Sequence, residues 1–270
     1  AYNNSRIDNI QLLQAHSKNS VNLTVLLELE KIRGSSHSAS MTLSLNGKVV
    51  DQVDFSVKGK KGTAVAKIQN PELWWPNNMG AQPLYEVEVM LFSKGGSLLD
   101  ICTKRIGLRT LVLDRHLDEW GESFQFVVNG VPFFAKGANW IPADAILARM
   151  TDKDYRMLIE ASVKANMNMI RVWGGGIYEN NIFYDLCDEM GICVWQDFMF
   201  ACATYPTFNK PFMASVKEEI KDNIKRLRHH PSIALWCGNN ELEQGLVSNE
   251  WGEKSMSWKD YGKLFDKMIP

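Results

Sequence analysis

The sequence predicts an antiparallel β-sandwich over residues 1–112, followed over residues 113–270 by a β/α segment that supplies half of a (β/α)₈ barrel. Three observations carry this. Apolar residues alternate with period 2 in the first part, the rhythm becomes strand–helix–strand–helix after residue 112, and the second part holds four such units where a barrel needs eight. A complete doubly wound sheet is the alternative for the second part.

In the first part, Val21, Leu23, Val25 and Leu27 alternate with other residues, as do Met41, Leu43 and Leu45. Asn46-Gly47 then supplies a hairpin turn that tolerates positive φ. Tyr85, Val87, Val89 and Leu91 repeat the alternation, and Gly95-Gly96 turns the chain toward Leu99 and Ile101. Short strands at this spacing with no helix between them predict a sandwich.

In the second part, Val131 to Lys136 reads as a short strand after the turn Asn129-Gly130. Thr151 N-caps a helix whose apolar face is Tyr155, Leu158, Ile159 and Val163. A strand follows over 168–173, then a helix carrying Ile182, Phe183, Leu186, Cys187 and Met190 and ended by Gly191. The third strand covers 192–197. The third helix carries Val216, Ile220, Ile224 and Leu227 and is stopped by Pro231, and Ser232 to Cys237 forms the last strand. Such units imply parallel strands joined by right-handed crossovers.

Composition narrows the function. The chain has 270 residues, 45% of them hydrophobic and 23% charged, enough for roughly two domains. Its formal net charge is -1, which points away from nucleic acid. No apolar run approaches a membrane span, and the start does not resemble a signal peptide. The five cysteines, at 102, 187, 193, 202 and 237, form no C-x-x-C pair and read mainly as small buried hydrophobes. Asn3 and Asn22 begin N-x-S/T sequons.

In parallel α/β folds, function gathers at the C-terminal tips of strands. The four tips carry Asn139 and Trp140, then Arg171 and Trp173, then Trp195 and Asp197, then Asn239, Asn240 and Glu241. Rings with amides, a carboxylate and a guanidinium suit a carbohydrate: the rings cover a sugar's apolar face and the polar groups bind its hydroxyls. Each residue also has an ordinary explanation. Asn240-x-x-Glu243 spells a capping box, with Glu241 merely favourable beside a helix N-terminus. Asp197 fits a turn, and Trp173, Trp195 and Trp236 fit a core. Arg171 needs a charged or richly hydrogen-bonded partner, which a structural ion pair or a catalytic carboxylate would supply equally. Gly174-Gly175-Gly176 lacks the spacing of a phosphate loop and fits close packing instead. His229-His230 lacks the companions of a metal site, and no G-x-S-x-G elbow occurs.

Four blocks go further: F-F-A-K-G-A-N-W-I-P (133–142), R-V-W-G-G-G-I-Y-E-N (171–180), V-W-Q-D-F-M-F-A-C (194–202) and L-W-C-G-N-N-E (235–241). They resemble the β-mannosidases of glycoside hydrolase family 2, which also holds β-galactosidase and β-glucuronidase. R-I-G-L-R-T (105–110) resembles that family's junction between sandwich and barrel, and V-N-G-V-P-F-F (128–134) its barrel entry. The resemblance implies an immunoglobulin-like β-sandwich followed by the first half of a TIM barrel. It implies hydrolysis of terminal β-mannosides from N-glycans and related oligosaccharides by a retaining two-carboxylate mechanism, with no metal or cofactor. Glu241 matches the acid/base, Arg171 an arginine that holds the nucleophile, Asn240 a contact to the sugar 2-hydroxyl and Trp173 a wall of the sugar subsite. Asn139, Trp140, Trp195 and Asp197 fall on positions lining the pocket. The nucleophile is expected from a later strand, about 5–5.5 Å from Glu241, so the chain alone is expected not to turn over mannosides. In animals the resemblance implies a lysosomal location. Another β-linked sugar, an endo-acting β-mannosidase and a non-catalytic carbohydrate-binding product are the rival readings.

Overall fold

The computed structural model describes residues 5–31, 37–248 and 256–269. Contacts divide the chain into two units, one built on the sandwich and a small sheet that follows it, the other beginning at Phe134.

The first unit contains β1 (Ser5–His16), β2 (Ser20–Lys31), β3 (His37–Leu45), β4 (Lys48–Lys58), β5 (Lys61–Gln69), β6 (Tyr85–Ser93) and β7 (Leu98–Ile106). Their hydrogen-bonded order is β1-β2-β5-β4-β3-β6-β7, and every pair is antiparallel. β4 and β5 share only the pairs Val57–Gly62 and Lys58–Lys61, beside their connecting turn. That hairpin passes the chain between two layers, β1-β2-β5 and β4-β3-β6-β7. At the open edge, the Ile7 amide donates to Asp100 Oδ2 at 2.8 Å, joining β1 to β7. The alternation read from the sequence becomes the core. Val21, Leu23, Val25, Leu27 and Leu29 of β2 meet Met41 and Leu43 of β3, Ala64, Ala66 and Ile68 of β5, and Val87, Val89 and Leu91 of β6, all buried. Asn46 and Gly47 both have positive φ, as a two-residue hairpin requires.

A three-stranded sheet follows, made of β8 (Leu111–Asp114), β9 (Gln125–Val128) and β10 (Val131–Phe133). This corrects one expectation. The run 131–136 is not the first parallel strand, because Asn129-Gly130, both at positive φ, folds Val131 back onto Val128 as an antiparallel hairpin. The second part was expected to begin at residue 113, and the sheet β8–β10 instead counts by contact with the first unit.

The second unit has β11 (Gly137–Trp140), α1 (Asp152–Lys164), β12 (Met169–Val172), α2 (Asn181–Met190), β13 (Cys193–Asp197), α3 (Lys210–Leu227), β14 (Ile233–Cys237) and α4 (Leu242–Val247). The four strands are parallel and lie in chain order. A doubly wound sheet would reverse direction at a switch point, so this order is that of a barrel. Thr151 and Asp154 form the capping box that starts α1. Gly191, in the left-handed region, ends α2. Tyr155 and Ile159 of α1 and Phe183, Leu186 and Cys187 of α2 pack on Ile170, Val172 and Val194 of the sheet. Among the described residues, no helix is long and apolar enough to cross a membrane.

Candidate active site

The register of the parallel sheet decides which tip residues can meet. Asn139 pairs with Arg171 and Arg171 with Trp195, so these three project from one face. Their neighbours Trp140, Val172 and Gln196 project from the other, toward the helices. Asn139, Arg171 and Trp195 line a cleft of about 310 Å³ together with Gly137 and Met169. Gly137 is obligatory here, since a Cβ would sit 1.6 Å from the Met169 carbonyl oxygen.

At the centre of this face is an ion pair. Asp197 is fully buried. Its Oδ1 accepts from Arg171 Nε at 3.2 Å and from Trp195 Nε1 at 3.1 Å, and its Oδ2 accepts from Arg171 Nη2 at 2.7 Å and from the Gly174 amide at 3.1 Å. A buried carboxylate survives only with such donors around it. Arg171 reaches further, from Nη2 to Asn240 Oδ1 at 2.8 Å and from Nη1 to Asn139 Oδ1 at 3.3 Å. Its guanidinium lies 5.8 Å from the centre of the Trp195 ring, within cation–π range. The choice left open for Arg171 therefore resolves toward an ion pair, one that also orients two amides on the pocket face. Asp197, with both oxygens occupied, is a clamp rather than a free base.

Glu241 stands where the last strand leads into α4. The cap of α4 differs from expectation: Asn239 Oδ1, not Asn240, accepts from the Leu242 amide at 3.1 Å. Asn240 is instead buried, and its amide bridges Arg171 to Cys202, donating from Nδ2 to Sγ at 3.2 Å. Glu241 is exposed and held at φ 62, a left-handed conformation uncommon for glutamate. Such strain concentrates at functional sites. The segment after β13 runs alongside. The Asn240 amide donates to the Phe200 carbonyl at 2.8 Å, and the Cys202 amide donates to the Asn240 carbonyl at 3.1 Å. This pairing brings Cys202 Sγ to 3.3 Å from Glu241 Oε2. Cys187 and Cys193 are buried as expected, but Cys202 is exposed. Its place at the site was missed because only the block M-F-A-C, not the thiol, stood out.

Two expected residues lie apart from this constellation. Trp140 is on the helix side, stacked on Tyr155 at 6.4 Å between centroids, with its indole N–H donating to Glu179 Oε1 at 2.8 Å. The pleat explains this: a tip residue next to Asn139 must face the other way. Tyr155 donates to the other oxygen of the buried Glu179 at 2.7 Å. Burial, with the Glu179 carboxylate second, pushes the Tyr155 hydroxyl well above its ordinary value. Trp173 lies on the loop beyond β12 and lines a second cavity of about 440 Å³ with Ile141, Pro142, Leu147 and Ile177. The glycines after it serve close packing. A Cβ on Gly174 would come within 2.6 Å of the Phe198 carbonyl oxygen, and one on Gly175 within 2.0 Å of the Trp173 ring. Trp236 stacks on Phe198 as core, 5.4 Å between centroids.

Comparison with known proteins gives this geometry a context. The chain matches Glycosyl hydrolases family 2 over residues 5–109 and the TIM barrel domain of the same family over residues 122–266. It is 42% identical to beta-mannosidase B of Aspergillus fumigatus over 97% of its own length and 32% of that protein. It is likewise 42% identical to the enzyme of that name from Emericella nidulans, over 92% of this chain and 30% of the relative. Among solved structures, the β-D-mannosidase of Dictyoglomus thermophilum superposes with a TM-score of 0.91 at 40% identity, covering 99% of this chain and 33% of that one. A β-glucuronidase of Bacteroides uniformis superposes with a TM-score of 0.76 at 19% identity, a likeness of fold. The chain spans about a third of the length of the curated relatives it matches.

Proposed function

The chain belongs to the Glycosyl hydrolases family 2, and from that premise we propose that its site serves the retaining hydrolysis of terminal β-D-mannosides. One observation carries this reading. Glu241 stands exposed at the tip of the fourth parallel strand, and its neighbour Asn240 is tied by Arg171 to the buried Asp197. In the proposed reaction a second carboxylate attacks the anomeric carbon while Glu241 protonates the departing glycosidic oxygen. Glu241 then takes a proton from the water that releases mannose, which restores its starting state. Asp197 is not that second carboxylate, because four N–H groups already occupy it. We therefore assign the nucleophile to a part of the barrel outside these 270 residues, and the chain alone is expected to be inactive.

The other residues fall into supporting roles. Arg171 and Asp197 fix the amides of Asn139 and Asn240 for sugar hydroxyls, and Asn240 Nδ2 retains a second hydrogen for the 2-hydroxyl. Trp195 and Trp173 offer rings to the sugar. Trp140 acts from behind the sheet, through Glu179. The exposed Asn22 of the sequon Asn22-Leu23-Thr24 supports passage through a secretory compartment and hence the lysosomal location proposed for an animal protein. Asn3, in the other sequon, lies outside the described residues.

The test uses a protein that extends this chain to the length of its relatives. An aryl β-D-mannoside should be cleaved in preference to the matched β-glucoside and β-N-acetylglucosaminide. Glu241→Gln should lower turnover of unactivated mannosides by about 10²–10⁴-fold, the usual worth of a general acid. Faster cleavage of another sugar would reassign the substrate. Full activity in the glutamine variant would remove Glu241 from the mechanism.

A further inference from the structure

Cys202 at φ 47 and Glu241 at φ 62, neither of them the glycine or asparagine that this region favours, occupy the left-handed region side by side. Each is exposed, and their side chains touch, Sγ to Oε2 at 3.3 Å. The thiol is also the acceptor of the Asn240 amide, at 3.2 Å. A thiol that accepts from an amide N–H can still donate its own proton, and here it donates to Glu241 Oε2. The backbone contributes to the same contact, because Cys202 and Asn240 are paired through the Cys202 amide. Asn240 is fixed in turn by Arg171 and the buried Asp197. A chain of directed contacts thus runs from the Arg171–Asp197 ion pair through Asn240 and Cys202 to the Glu241 carboxyl group.

We infer that Cys202 is a positioning residue for the general acid, setting which oxygen of Glu241 carries the proton that is transferred. The inference rests on the function proposed above. With Oε2 occupied as an acceptor of the S–H, the proton of the acid form resides on Oε1. After transfer, the carboxylate keeps its hydrogen bond on Oε2, and Oε1 is the oxygen free to receive a proton from water. In this role the thiol acts through Glu241 and undergoes no net chemistry. It restricts the carboxyl group to one rotational state and one protonated oxygen. Such restriction is part of the orientation that makes general acid catalysis efficient.

The experiment varies how much acid assistance the substrate needs, in the full-length protein carrying this chain. For Cys202→Ala, kcat/KM on an alkyl or unactivated aryl β-mannoside should fall about tenfold, a fraction of what a general acid contributes. On 2,4-dinitrophenyl β-mannoside, whose leaving group departs without a proton, kcat/KM should change little. Cys202→Ser, which keeps a hydroxyl donor, should recover most of the loss. Equal losses on both substrates would show a merely structural role and overturn the inference. So would a serine variant no better than alanine, or an alanine variant with no loss. Thermal melts of both variants establish that they fold. A wild-type protein that cleaves no β-mannoside overturns the proposed function and this inference with it, whereas mannoside cleavage indifferent to Cys202→Ala overturns this inference alone.

Discussion

The sandwich and the parallel sheet obey the same two-residue period but spend it differently. In β2, β3, β5 and β6 every second residue is apolar and enters one shared core. In β11–β13 one set of alternate residues packs on the helices, while the other holds Asn139, Arg171, Trp195 and Asp197. The sandwich is stabilised by area removed from water, which is non-directional. The polar face of the parallel sheet is held by directed contacts among charged and amide groups, each of which depends on its partner. The difference teaches where chemistry can be housed. A face whose polar groups satisfy one another keeps its shape without closing against a second apolar layer, and so can remain open to a ligand.

Breaking the directed contacts should show the largest effect. Arg171→Met leaves Asp197 buried without its counter-charge, and we expect a loss of about 3–5 kcal/mol in the unfolding transition of the β/α unit, followed by denaturant titration. A stability within 1 kcal/mol of wild type, about a factor of five in the folding equilibrium, would mean that the ion pair is not what holds this face. The parallel change in the sandwich is Leu43→Ala at a fully buried position. It should cost about 3 kcal/mol through lost contact and a cavity, and mannoside turnover of the full-length protein should persist under conditions where the sandwich stays folded. Loss of turnover in a folded Leu43→Ala protein would erase the distinction between the two regions.

The smallest expected effect concerns pH. Asp260 lies in the first turn of a short helix, α5 (Trp258–Tyr261), capped by Ser257, and accepts from Lys263 Nζ at 2.7 Å, Ser257 Oγ at 2.6 Å and Thr207 Oγ1 at 2.9 Å. Lys263 first, then the two hydroxyls, hold its carboxyl well below the ordinary carboxylate range. A depressed folded value means that this stabilisation is complete above the unfolded value of 3.8 and is lost as pH falls toward the folded one. Melting temperatures of wild type and Asp260→Asn should therefore differ by a constant amount near neutrality and converge in acid. Curves that stay parallel down to acid pH would contradict this assignment. Because the carboxyl is partly exposed and solvent screens its contacts, the difference should be small.

These contrasts also explain what could be read from the amino-acid order. In the sandwich β2, β3, β6 and β7 were legible because one face of the sheet is apolar and the other is not, so alternation reveals both strand and orientation, whereas β1, β4 and β5 were not singled out. The helices α1–α3 were legible from their apolar faces and ends, with Thr151 and Gly191 acting where expected. Of the tip residues, Arg171, Asp197, Asn139 and Asn240 converge, while Trp140 and Trp173 lie apart. Which way each tip residue faces was not legible. Both faces of β11–β13 carry aromatic residues, so nothing in the pattern separates Trp140, turned to the helices, from Trp195, turned to the cleft. Only the interstrand register decides it. The run 131–136 was misassigned for a related reason: an apolar stretch of that length suits a hairpin arm as well as a parallel strand. Asn239 and Asn240 are adjacent and identical in type, and their exchange of roles depends on the positive φ of Glu241, which no spacing announces.

The loop that carries Trp173 has a consequence for how a sugar would be received. It is anchored at its start, where the Gly174 amide bonds to Asp197, and at its end, where Glu179 is gripped by Trp140 and Tyr155 and its carbonyl accepts from Arg226 at 3.0 Å. A rim tethered at both ends has surrendered its conformational freedom during folding rather than at the moment of binding. It is therefore a fixed lip and not a swinging lid. Amide hydrogens in 174–179 should exchange at nearly the same slow rate with and without a bound sugar, and discrimination among sugars would rest on shape already in place.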